Sequence, residues 1–214
     1  MVAVLFGATA VVSPAWRVAQ GWITLAHELG HAVAAIVTEG RVRRITVSLD
    51  ASGLTEWSRE QGGRRLPRGF VAWWGYPAPG ALAVLVGTGV ATGHSVVTGW
   101  AVAAVLAIVV AVWVRRPWGV AMGVTFGATA AAGAALGDQA ATLVGCGIAA
   151  LWAVGGLRTA VTTGLRARRG DGSDQATLAT VLWLPVAFWS VTMVVVAGAA
   201  VAAVGALLLP VATG

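Results

Sequence analysis

Residues 16–38 read WRVAQGWITLAHELGHAVAAIVT. The stretch is long enough to cross a bilayer, which takes about 20 residues for a hydrocarbon core of about 30 Å. It is apolar on both sides of one tight polar group, His27-Glu28-Leu29-Gly30-His31. A soluble protein could bury such a run only by spreading charge over its surface elsewhere, and this chain has little charge to spread. Of 214 residues, 58% are hydrophobic and 10% are charged, against roughly 25% charged in a soluble domain. With a mean hydropathy of +0.83, most helices have no polar face to show to water. We therefore expect an all-α polytopic membrane protein, a single integral-membrane domain over residues 1–214.

Working outward, apolar runs of spanning length cover residues 16–38, 69–91, 96–114, 118–136, 140–157 and 176–209, which predicts about six transmembrane helices. The last run is free of charge and would reach about 50 Å as one straight helix. It must tilt, kink near Pro185 or fold as two pieces. The opening MVAVLFGATAVV rises only about 18 Å and lacks the basic leader of a signal peptide. It reads as a retained partial helix, or as a first helix clipped by a late start.

The net charge of +6 comes from 14 basic residues, all arginine, and 8 acidic ones. A basic chain invites a nucleic-acid reading, but these arginines do not form a continuous stripe. Apart from Arg17 they sit in three segments, 41–68, 115–116 and 158–169, and the loops between, at 92–95 and 137–139, hold none. That alternation is the positive-inside pattern and places the basic segments in the cytoplasm. The lack of lysine beside heavy Ala, Val, Gly and Arg usage suggests a GC-rich bacterial genome, hence a bacterial cell membrane. Trp100, Trp113 and Trp118 fall near span ends, where interfacial indoles belong. Gly119, Gly123 and Gly127 recur at a spacing that lets a neighbouring helix approach. Cys146 stands alone, so no disulfide framework exists.

The segment 40–58 is not an ordinary connector. Ile45, Val47 and Leu49 alternate with Thr46, Ser48 and Asp50; Ala51-Ser52-Gly53 supplies a turn; Leu54-Thr55-Glu56-Trp57 follows. This predicts a short β-hairpin on the cytoplasmic side, whose 45–49 strand could take up an extended peptide by strand addition.

The chemistry concentrates at HELGH. Histidines four apart share one helical face, so both imidazoles can reach one tetrahedral Zn²⁺, with Glu28 beside them to work on water. Chance is a poor explanation with 3 His and 4 Glu in the chain. Each ionisable group at membrane depth also costs roughly 2.5–3.5 kcal/mol on insertion scales, and a bound cation offsets that cost. Zinc catalysis needs a third protein ligand and an open position. His94 lies in an arginine-free loop on the opposite side. Asp174 opens the last apolar run and is preferred, with Asp171 as the alternative. Gly75-Tyr76-Pro77-Ala78-Pro79-Gly80 is expected to break the facing helix and line a cleft, or merely to kink it.

These pieces together resemble the site-2 protease family of intramembrane zinc metallopeptidases, in its peptidase M50B-like branch. The resemblance rests on HELGH in an early span, RVRRITVSLDASGLT after it, Gly75-Tyr76-Pro77 in the next span and SDQATLATVLWLP near the end. It implies that His27, His31 and Asp174 are zinc ligands and that Glu28 is the catalytic acid/base. It further implies cleavage in or near the transmembrane segment of a membrane-protein substrate, such as an anti-sigma factor or another single-pass regulator. Relatives of this kind set the aspartate in Asn-Pro-Asp-Gly or Leu-Asp-Gly, whereas here Gln175 follows Asp174. No loop is long enough for a PDZ domain, which leaves the hairpin as the substrate-handling element. The alternative is an integral membrane protein that binds zinc without proteolysis.

Overall fold

The computed structural model describes residues 14–59 and 65–213, so the partial helix expected at 1–12 lies outside the described residues. Within them the chain is mostly helical. α1 is Pro14–Val37; β1, Arg41–Val47, and β2, Gly53–Ser58, form the expected antiparallel hairpin. Then come α2 (Arg65–Trp74), α3 (Pro77–Ala91), α4 (Ser95–Val112), α5 (Pro117–Ala135), α6 (Asp138–Gly164), α7 (Asp174–Leu182) and α8 (Val186–Thr213).

By length and composition α4, α5, α6 and α8 can each cross a membrane, and α2 with α3 makes a fifth span if the bent pair counts as one. The chain is a multi-pass membrane protein. The expected six also counted α1. That helix has the length, but Arg17, Gln20, His27, Glu28 and His31 keep it from being apolar enough to count among the spans.

Two expected spans are broken. The run 69–91 bends by 57° between α2 and α3, at Gly75-Tyr76, with Pro77 opening the second helix. The run 176–209 divides at Trp183–Pro185, where Trp183 adopts φ 61° and the Pro185 ring cannot continue α7. α6 runs past the apolar limit at 157 to Gly164; Arg158 is accommodated with its guanidinium 4.0 Å from the Trp16 ring.

The core forms where α1 meets α3, α5 and α6. Ile23, Leu25 and Phe126 are buried, Trp22 stacks on Phe126 at 4.6 Å, and Trp152 meets Phe126 edge-on at 5.0 Å. Gly123 and Gly127 let α5 lie against Val110 and Leu106 of α4. The hairpin joins this core through buried Ile45 and Val47. It is fixed by Ile45 N–H donating to the Trp113 carbonyl oxygen at 2.8 Å and by Arg115 N–H donating to the Ile45 carbonyl oxygen at 3.3 Å. The outer edge of β1 is therefore already bonded, and β2 keeps the free edge.

Candidate metal centre

α1 carries His27, Glu28 and His31 as one turn of helix, and their ligand atoms lie within 4.8 Å of one another. Glu28 and His31 are buried, at 4% and 8% exposure. The second contributor is the start of α7. Ser173 caps that helix, its hydroxyl accepting from Ala176 N–H at 3.2 Å, and the cap aims Asp174 at the histidines. Asp174 Oδ2 stands 3.2 Å from His27 Nε2 and 3.3 Å from His31 Nε2. The two Nε2 atoms are 3.0 Å apart.

Three atoms with lone pairs thus converge in a nearly equilateral triangle. Four ligands about a metal at about 2.0–2.1 Å would be spaced about 3.3 Å apart, so the donor set and its edges fit a tetrahedral zinc site with one corner left open. His31 Nδ1 donates to the Val71 carbonyl oxygen at 2.7 Å, which fixes the ring and leaves Nε2 to offer its lone pair inward. That support comes from a backbone carbonyl of α2, and no side chain announces it in the sequence.

A family model for peptidase M50B-like proteins matches residues 1–204. The chain belongs to the peptidase M50B-like family. It is therefore a member of a metallopeptidase family, and the His27–Glu28–His31 group falls inside the matched region. No curated protein and no solved structure matches the chain.

The remaining expectations sort clearly around this centre. Asp171 is engaged elsewhere, its oxygens accepting from Arg168 N–H at 2.6 Å and Ser173 N–H at 2.9 Å. Ser173, with the two backbone N–H groups, holds its carboxyl below the usual carboxylate range. Asp171 shapes the loop that presents Asp174. His94 caps the turn before α4, with Nδ1 3.1 Å from Thr92 Oγ1. The Gly75–Gly80 segment does both things expected of it. It breaks the helix, and Tyr76 and Pro79 line the cavity around the metal centre.

In this peptidase M50B-like chain the structure also brings in residues the sequence did not single out. Thr55 of β2 reaches Glu28, its hydroxyl 2.7 Å from Oε2 and 2.9 Å from the Glu28 carbonyl oxygen. With one proton it donates to one of them at a time. A Cβ at Gly53 would collide with the Glu28 carboxylate, and one at Gly75 would press on both imidazoles. The alternation Gly53, Thr55, Trp57 marks one face of the strand, but nothing local says what that face meets. The cavity itself is about 450 Å³ and open, walled by α1, β2, α2, α6 and the start of α7.

Proposed function

We propose that this chain is an intramembrane zinc metalloprotease that cleaves a peptide bond in or near the transmembrane segment of a membrane protein. The convergence of His27, His31 and Asp174 beside Glu28 carries this reading, and membership of a metallopeptidase family supports it. His27, His31 and Asp174 would hold the zinc. When bound there, zinc supplies Lewis acidity, which polarises a carbonyl and acidifies water.

The protein's own groups do the rest. Glu28 takes a proton from the attacking water and returns it to the leaving amine, while Thr55 keeps the carboxylate aimed into the cavity. A helical substrate hides its backbone and must unwind, exposing amides that cost several kcal/mol each when left unpaired in lipid. The free edge of β2, with Gly53, Leu54, Thr55 and Trp57 on the cavity wall, can pair with them. This transfers to β2 the role expected of 45–49, because β1 is already bonded to 113–115. We place the basic segments, and with them the cavity mouth, on the cytoplasmic side of a bacterial membrane. A single-pass regulator such as an anti-sigma factor is the substrate class proposed.

Co-expression of single-pass candidates with wild type, Glu28→Gln and His31→Ala tests the reading. Fragments should appear with wild type alone, turnover falling about 10²–10⁴-fold in Glu28→Gln while that variant keeps its zinc. Identical fragment patterns in all three would sink the protease. Zinc occupancy undiminished in Asp174→Ala would remove that residue from the ligand set.

A further inference from the structure

One charged side chain on the cavity wall has no part in the proposed chemistry. Among the described residues lining the cavity, Arg68 is the sole arginine, beside Glu28 and Asp174 deeper in. Neighbouring arginines are engaged: Arg44 with Glu56, Arg59 with Glu39, Arg65 over the Trp183 ring and Arg116 with Ser48. Arg68 is exposed, and among the described residues it has no such partner.

Its position relative to the metal centre follows from α2. Arg68, Val71 and Ala72 face the cavity together, the spacing of one helical side. Val71 holds His31 through its carbonyl, and Gly75, just past the helix, abuts both imidazoles. The seven positions from 68 to 75 rise about 10 Å, the length of about three residues of extended peptide. β2 runs the opposite way along the same wall: Thr55 sits at Glu28, and Trp57, two residues on, packs against the cluster of Ala34, Ala35 and Val71. A peptide added to β2 antiparallel, the pairing β2 already makes with β1, enters at the Trp57 and Arg68 end. Its N-terminal side passes the guanidinium before its backbone reaches Glu28.

We propose that Arg68 selects substrates with an aspartate or glutamate about three residues before the bond that is cut. This rests on the protease reading above. An unpaired guanidinium presents a planar fork of donors that matches a carboxylate.

The test uses full-length, zinc-loaded protein in nanodiscs and fluorescein-labelled decapeptides ending in a C-terminal hydroxamate, a metal-seeking group. Glu, Gln or Lys is placed two, three or four residues before the hydroxamate, and binding is read by anisotropy. Wild type should bind the Glu peptide with the three-residue spacing about three- to tenfold tighter than its Gln counterpart, with Lys weakest. Arg68→Gln should erase the difference, Arg68→Lys should keep part of it, and Arg68→Glu should reverse it in favour of Lys. Equal binding of Glu and Gln peptides at every spacing overturns the role of Arg68, as does a preference unchanged in Arg68→Gln. Both outcomes leave the protease standing, because the peptides still bind through the hydroxamate. If no peptide binds wild type, the metal centre fails, and Arg68's role fails with it.

Discussion

At the scale of single residues, His27, Glu28 and His31 are legible because their spacing is a property of one helix turn. Two imidazoles at i and i+4 converge whatever the rest of the chain does. Asp174 lies far along the sequence from His31; its place at the start of the last apolar run made it preferred over Asp171, and the loop geometry then separated the two. Gly75 shows a different limit. It is readable as a helix breaker, but its second job, leaving room for two imidazoles, depends on packing. Gly75→Ala should therefore weaken zinc binding by about 10–100-fold, the range seen when groups supporting metal ligands are disturbed. Competition with a fluorescent zinc chelator measures this, and an unchanged affinity would show that the rings can shift freely.

At the scale of elements, the hairpin was predictable from period-two alternation, but which of its edges stays open was not. That was settled by Ile45 bonding to the turn between α4 and α5, a pairing between segments with no shared local signal. β2 consequently carries both the free edge and Thr55. Thr55→Val keeps the branched shape and removes the hydroxyl; turnover should fall about tenfold, with zinc content unchanged and Thr55→Ser restoring most of it. Wild-type turnover in Thr55→Val would show that shape alone positions Glu28. The loop before α7 makes a prediction about pH. The Asp171 carboxyl is held below its ordinary value by Ser173 and by the N–H groups of Arg168 and Ser173. Its contribution to loop order is full above the ordinary carboxylate pKa of about 4 and is lost as pH falls through the lower folded value. Hydrogen-exchange protection of the Ser173 amide should survive at about pH 5, decline in stronger acid and vanish at both pH values in Asp171→Ala.

At the scale of the whole molecule, arginine placement and membrane orientation are one prediction. In a Cys146→Ala background, cysteines at Arg169 and at His94, both exposed, should be labelled by a membrane-impermeant maleimide from opposite faces. Labelling of both from one face would overturn the assigned topology. Composition by itself determined that this chain is solvated by lipid, because too few charged residues exist to cover a globule of its size. Helix period by itself determined that two histidines able to share one metal ion sit on one apolar helix beside a candidate base. Only the tertiary structure decided which aspartate completes the triangle, which strand edge stays open and which arginine, among the described residues, lines the cavity. Those features are distances between segments remote in sequence, set by the bend at Gly75-Tyr76, the break at Trp183–Pro185 and the close packing of helices around Phe126.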